Sequence, residues 1–321
     1  MSEPEAVKMV FACGPGMCDM DAGSIATEEG VKIFTGGAEG MLKVFDPQDL
    51  ETAVKEMNLD ELDEGDDGLC VTAVAVSPGG EEVALGLRNG DVKLYDLPSL
   101  EFRSNLTRFT APVLGLHYGM KDGGVIAACS EEPGIRIIRR GNNNHTLKLD
   151  DHDGGVKSVK WDPKGEFLAA AGFDGTVKVW SVDPALEEMT TEVVSSANYF
   201  SKEAVGLGES GSEGFSHLGK IAWHPEGKSL SVTGGTDPLM LARGDWKRSM
   251  IVPEDVAQGG HTSEITVSSF SPDGRYLATA ALDGRVVLWD TEEKEAVKTF
   301  VNTANENWRD LQASLSPNPC P

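Results

Sequence analysis

The feature that most restricts how this chain can fold is an internal repeat whose register is kept to the residue. Segments beginning at Val71, Val156 and Ile265 read VTAVAVSPGGEEVALGLRNGDVKLYD, VKSVKWDPKGEFLAAAGFDGTVKVWS and ITVSSFSPDGRYLATAALDGRVVLWD. In each, a proline opens a turn, a glycine follows 12 positions later (Pro78 to Gly90, Pro163 to Gly175, Pro272 to Gly284), and an aromatic residue comes five further on: Tyr95, Trp180 or Trp289. A fixed period of this kind marks one supersecondary unit used repeatedly, each copy burying its apolar faces only against its neighbours.

The unit itself is legible. Apolar residues alternate in the first strand (Val156, Val159, Trp161), Pro-x-Gly turns the chain, and Phe167 to Gly172 runs back. Asp174-Gly175 then supplies a tight turn that needs positive φ, and Thr176 to Trp180 is a β-branched and aromatic third strand. Leu100 to Thr107 and Ala296 to Val301 are candidates for a fourth, outer strand. Weaker copies start at Val113 and at Lys220, where Ala242 stands in place of the aromatic, and another ends near Pro47. Radial stacking of such four-stranded sheets leaves only short, protected edges, so the expected fold class is an all-β propeller forming a single domain over 1–321. Six blades are recognisable, and residues 302–321, with WRDLQASLSP, are expected to be a truncated seventh blade or a tail. Two insertions interrupt the array: the acidic stretch Met57 to Gly68, and a Ser/Gly/Glu-rich segment over 183–217 that could hold an outer strand near Thr190 to Val194.

Charge and cysteine content narrow the function classes. A net charge of −24 makes direct nucleic-acid binding an unfavourable expectation, because phosphate backbones repel such a surface. Basic residues gather at Arg136, Arg139 and Arg140 and at Arg243, Lys247 and Arg248, either as solvated strand-edge charge or as sites for acidic partner segments. No apolar run approaches 18 residues, so no membrane association is expected. Cys13, Cys18, Cys70, Cys129 and Cys320 are odd in number and irregularly spaced, which points to free thiols in a reducing compartment. Cys13 and Cys18 lack a second ligand pair, so neither a metal nor any other cofactor is expected.

Polar residues recur with the repeat. His152, Asp174 and Trp180 return as His261, Asp283 and Trp289, with the histidine ahead of the first strand, the aspartate in a turn and the tryptophan on the third strand. A catalytic reading competes with a structural one, in which the histidine joins the turn to the strands and satisfies groups that would otherwise be buried unpaired. The structural reading is preferred. The set resembles the hydrogen-bonded tetrad of WD-repeat blades, which implies a fourth member, a serine or threonine two residues before the aspartate; Gly172 and Ala281 stand there, so both networks are expected to be incomplete. No nucleophile elbow, P-loop, H-E-x-x-H or dinucleotide fingerprint is present, and no convergent set of carboxylates or histidines for the central channel is evident, so the chain is not expected to be an enzyme.

The run GHTSEITVSSFSPDGRYLATAALDGRVVLWD from Gly260 to Asp290 identifies the repeats as resembling WD repeats over nearly the whole chain. Within that superfamily, LTRFT at Leu106 to Thr110, IAWHPEGKSL at Ile221 to Leu230, the acidic linker after the first blade and the order of strong and weak blades resemble the N-terminal propeller of the chromosome transmission fidelity family, the acidic nucleoplasmic, HMG-box-bearing WD-repeat adaptors of animals. The resemblance implies a nuclear scaffold in DNA replication and sister-chromatid cohesion, with replisome proteins such as polymerase alpha-primase and helicase-associated factors as partners. The alternative is a generic WD-repeat adaptor, a ubiquitin-ligase substrate receptor or chromatin reader, with a cytoplasmic location as the alternative to the nucleus. Propellers bind chiefly through the face formed by loops before the innermost strand and between the second and third strands, which makes Arg88 and Phe173 the candidate top-face binding residues.

Overall fold

Alternating side chains set between glycine-bearing turns give each repeat one solution, a four-stranded antiparallel meander, and the computed structural model contains six of them in a six-bladed β-propeller. The structure describes residues 17–26, 30–59, 69–119, 123–140, 145–182, 191–198, 218–250 and 260–301. Blade 1 comprises β1 (Met17–Ser24), β2 (Val31–Gly37), β3 (Met41–Asp46) and β4 (Asp49–Asn58). Blade 2 comprises β5 (Val71–Val76), β6 (Glu82–Leu87), β7 (Asp91–Asp96) and β8 (Phe102–Arg108), and blade 3 β9 (Val113–Gly119), β10 (Val125–Ser130), β11 (Ile135–Arg139) and β12 (His145–Leu149). Blade 4 is built from β13 (Val156–Trp161), β14 (Phe167–Gly172), β15 (Thr176–Val182) and β16 (Thr191–Asn198). Blade 5 has β17 (Ala222–Trp223), β18 (Ser229–Val232), β19 (Leu239–Ala242) and β20 (Arg248–Met250), and blade 6 has β21 (Ile265–Phe270), β22 (Tyr276–Ala281), β23 (Arg285–Asp290) and β24 (Glu295–Val301).

The turn chemistry works as the repeat requires. Gly175 sits at φ 73°, and Gly90 at φ 92° lies so close to the next segment that a Cβ there would meet the Phe109 carbonyl oxygen at 2.1 Å. Two boundaries differ from the sequence expectation. The acidic insertion does not begin at Met57: β4 continues to Asn58, and Met57 and Leu59 are buried in the core between blades 1 and 2, because the strand keeps its pairing with β3 up to Met41. What remains of that insertion, 60–68, lies outside the described residues, as do 183–190, 199–217 and the 302–321 segment expected to be a seventh blade or tail. Within the second insertion the outer strand forms at Thr191–Asn198, longer than the Thr190 to Val194 stretch expected.

Packing energy resides between blades. One apolar cluster joins blades 1 and 2 (Phe34, Leu42, Val71, Tyr95), and others join 2 to 3 (Val92, Phe109, Ile126), 3 to 4 (Ile137, Trp161, Trp180) and 4 to 5 (Val179, Trp223, Leu241). The cluster joining blade 5 to blade 6 is small: Met240, Leu277, Val287 and Trp289. Among the described residues no such cluster joins blade 6 to blade 1. The gradient shows in the second strands, which are buried at every position in β6 and β10 but only half-buried at Ala278, Ala280 and Ala281 of β22. Blade 5 lacks an aromatic on its third strand, where Ala242 is exposed; Trp246, just beyond β19, packs instead against Trp223 and Phe167, with ring centroids 6.1 and 5.6 Å away.

Candidate functional site: the channel and its two faces

Because the strands of a blade are antiparallel, the turns after second strands lie on the opposite face from the turns after first strands. A recurring backbone bond fixes the first of these faces: Arg88 N–H donates to Cys70 O (3.0 Å), Glu131 to Pro112 (3.2 Å), Phe173 to Gly155 (2.8 Å) and Leu282 to Glu264 (3.2 Å). In four blades the residue after the second strand is thus tied to the residue leading into the first. The backbone repeats while the side chains do not: a cation, an anion and two apolar groups occupy equivalent places. Phe173 is 46% exposed, a large aromatic left in solvent. Arg88 is half-buried. The structure therefore puts both predicted residues at equivalent places on one face, in different blades.

The polar sets beneath this face differ from the sequence expectation. In blade 6 the network is complete, and its fourth member is Thr279, four residues before Asp283 rather than two. Trp289 Nε1–H donates to Thr279 Oγ1 (2.7 Å), Thr279 Oγ1 lies 2.7 Å from His261 Nε2, and His261 Nδ1 lies 3.3 Å from the Asp283 carboxylate. With Nδ1–H directed at Asp283, Nε2 accepts from the threonine hydroxyl, so a neutral imidazole satisfies every donor in the chain. Burial pushes the His261 pKa below its usual value, against the pull of Asp283. The position two before the aspartate cannot supply the hydroxyl in blade 4: a Cβ on Gly172 would stand 2.5 Å from His152 Nδ1.

Blade 4 carries Ala170 where blade 6 has Thr279, and its network is broken there. His152 Nδ1 still meets Asp174 Oδ2 at 3.0 Å, with Thr176 Oγ1 donating to Asp174 at 2.7 Å, but His152 Nε2 is buried without a partner. Trp180 Nε1–H turns instead to Asp151 Oδ2, at 3.0 Å.

Titratable groups do converge on the central channel, contrary to the expectation that no such set exists. They come from the innermost strands of separate blades, where a side chain of one accepts a backbone N–H of the next. Asp19 Oδ2 accepts from Val74 N (3.0 Å), Asp21 Oδ2 from Val76 N (2.8 Å), His117 Nδ1 from Trp161 N (3.1 Å) and Ser158 Oγ from Ile221 N (3.3 Å). Lys220 Nζ bonds Asp19 across 201 residues of sequence. Burial raises the Asp21 pKa despite Lys160, lowers that of Lys160 despite Asp21 and Asp19, and drives His117 well below its usual range, helped by Lys160. Asp19, Asp21 and His117 are thus engaged as inter-blade acceptors. Cys129 is buried beside this set, and burial pushes its thiol pKa up, away from thiolate reactivity.

Of the basic residues noted in the sequence, Lys247 and Arg248 stay exposed, whereas Arg136, Arg140 and Arg243 turn inward. Arg140 and Arg103 bond the buried Glu82, Arg136 stacks 4.0 Å over the Phe109 ring, and Arg243 bonds Asp162 (2.9 Å) and Glu166 while lying over Phe167. Among the described residues no group of three or more His, Cys, Asp or Glu is placed to hold a metal ion. Cys13 and Cys320 lie outside the described residues, and Cys18 falls in β1.

Six four-stranded blades around a channel, tied by repeated turn-to-strand polar networks, define a WD40 β-propeller. The WDHD1 first WD40 domain family matches residues 20–312, and the chain belongs to that family. It is 26% identical over 272 residues to WD repeat and HMG-box DNA-binding protein 1 of Mus musculus, covering 84% of this chain and 22% of that protein. Against the Homo sapiens protein of the same name it is 23% identical over 283 residues, covering 88% and 22%. Minichromosome loss protein 1 of Schizosaccharomyces pombe (strain 972 / ATCC 24843) is 26% identical over 209 residues, covering 64% and 23%. The chain thus spans about a fifth of the length of these relatives.

Proposed function

We propose that this propeller is a non-catalytic protein-interaction platform acting in the nucleus, in DNA replication and sister-chromatid cohesion, where it links replisome components such as polymerase alpha-primase and helicase-associated factors. One observation carries the platform reading: four equivalent loop positions share a backbone bond yet present unrelated side chains, Arg88, Glu131, Phe173 and Leu282. Residues that hold a repeat together repeat with it, and residues free to vary are available for recognition. The channel carboxylates and histidine are engaged between blades, which favours binding over catalysis. The replication assignment rests on the family and on relatives whose names speak of an HMG box, DNA binding and minichromosome loss. DNA binding by this chain itself is not part of the reading, since its net charge of −24 opposes it.

The test is affinity capture from nuclear extract with the wild-type chain, Arg88→Glu and Phe173→Ala, immunoblotted for polymerase alpha-primase subunits and replicative helicase factors. Capture by wild type and its loss in either variant, with unchanged circular dichroism, is the expected outcome. Capture that both variants retain would overturn the face assignment. Recovery of ubiquitin-ligase subunits in place of replication proteins would overturn the replication assignment.

A further inference from the structure

At the end of the channel opposite Arg88 and Phe173 lies a cavity of about 560 Å³ whose rim is built from the turns after first strands: Pro78, Pro163, Pro225 and Pro272 of four blades. Its size falls in the range of specific ligand sites. The walls are aromatic, contributed by Tyr118, Trp161, Trp223 and Phe270. Pro78, Pro163 and Pro272 are exposed, so the mouth is open to solvent.

The polar character of the cavity is set by donors. Trp223 Nε1–H is satisfied by the Lys160 carbonyl at 3.0 Å. Trp161 is 4% exposed, and its Nε1–H is buried with no acceptor. An orphaned buried donor of that kind costs roughly 1–3 kcal/mol, which a carbonyl entering the cavity relieves once the indole edge turns towards it. Its ring lies against Gly119, where a Cβ would come within 2.8 Å of three ring atoms. His117 uses Nδ1 to accept the Trp161 backbone N–H, so in its neutral form it carries its proton on Nε2, a second donor. Lys160 lines the same space and, among the described residues, has no carboxylate within the 4.0 Å of an ion pair. The charges facing it, Asp21, Asp19 and Lys220, are already engaged: the aspartates accept from β5, and Asp19 also holds Lys220. Of the rim acceptors, Ser268 is committed to Ser231, Ser271 to Asp273 and Asp162 to Arg243.

We propose that this cavity is a second binding site, for a proline-rich peptide segment in the extended polyproline conformation. The match is one of chemistry. Successive prolines offer carbonyl acceptors and no N–H donors, present flat apolar rings to aromatic walls, and lose little entropy on binding because the helix is preformed. A neutral ligand also leaves the balance of Lys160 and Lys220 against Asp19 and Asp21 undisturbed. The site is independent of the Arg88 face, and either can fail without the other.

The experiment uses the full chain labelled with ¹⁵N at its six tryptophan indoles, titrated with the blocked peptide acetyl-PPLPPLPP-amide and followed by NMR, the Trp161 signal being assigned by its absence in Trp161→Phe. A saturable downfield shift of the Trp161 Nε1–H is expected. Trp161→Phe, read by the Trp223 indole signal in the same titration, should weaken binding about fivefold, the worth of one neutral hydrogen bond. Lys160→Met, which keeps the aliphatic stem, should weaken it by a similar factor and guards against a fold defect in the first variant. Absence of a saturable shift at millimolar peptide would overturn the proposal, as would unchanged affinity in both variants. Equal binding of acetyl-AALAALAA-amide would show general apolar capture, and tighter binding of acetyl-EELEELEE-amide would show a carboxylate site; each result refutes the proline-rich ligand.

Discussion

Replacing Thr279 by valine removes one oxygen from blade 6 while preserving the shape of the side chain. Thr279 is 1% exposed, and its hydroxyl both accepts from Trp289 Nε1 and donates to His261 Nε2, each over 2.7 Å. The substitution therefore strands two buried polar groups that water cannot reach, at roughly 1–3 kcal/mol each. We expect a loss of about 3 kcal/mol in urea-induced unfolding followed by tryptophan fluorescence and far-ultraviolet circular dichroism. Thr279→Ser keeps the hydroxyl and should cost less than about 1 kcal/mol. Blade 4 supplies the converse experiment. Ala170 occupies the equivalent place, and His152 Nε2 below it has no partner, so Ala170→Ser should stabilise by about 1 kcal/mol. A Thr279→Val loss under about 0.5 kcal/mol, or equal losses for valine and serine, would refute the view that this hydroxyl holds the network together.

Three further outcomes follow from the same structure. Burial depresses the pKa of His117, His152 and His261, so the unfolded chain binds more protons near pH 6 and their contribution, full above about 6.5, is lost as the pH falls; the urea midpoint should drop between pH 7.5 and 5.5, and a flat profile would contradict neutral buried imidazoles. Gly86→Ala places a Cβ 2.4 Å from Val113 Cγ1 at the seam of blades 2 and 3 and should cost about 2 kcal/mol, with partial recovery in the double variant with Val113→Ala, whereas additive losses in that cycle would exclude the steric cause. Glu82→Gln removes the charge that holds Arg103 and Arg140 and accepts from Tyr118 Oη at 2.9 Å; because both arginines are partly solvated, the expected cost is about 2 kcal/mol in urea unfolding, and a neutral substitution would show the cluster to be dispensable.

Strand order, turns and the six repeats could be read from the sequence because each depends on residues close together in the chain. Pro163, Gly165 and Gly175 set the turns of blade 4, and alternation sets which faces pack. The position of the bridging hydroxyl could not be read the same way. Residues two and four before Asp283 lie on the same face of β22, so alternation cannot choose between Ala281 and Thr279; only their distances from His261 can. The channel set was hidden for a different reason. Asp19, His117, Lys160 and Lys220 belong to four blades, with no local spacing to betray them, and only ring geometry brings them together. Trp246 illustrates a third limit: the aromatic missing from the third strand of blade 5 is replaced from outside the repeat register.

The filling of the seams sets how the molecule yields. Units that touch only their neighbours behave as a one-dimensional array, in which each blade is held by its own strands and by the coupling on either side. Blades 2, 3 and 4 have well-filled couplings on both sides, whereas blade 6 has the small Met240, Leu277, Val287 and Trp289 cluster on one side and, among the described residues, none on the other. Amide exchange should therefore run as a gradient around the ring, fastest in β21–β24 and slowest in β6 and β10, with blade 6 opening as a separate cooperative unit long before the remainder unfolds.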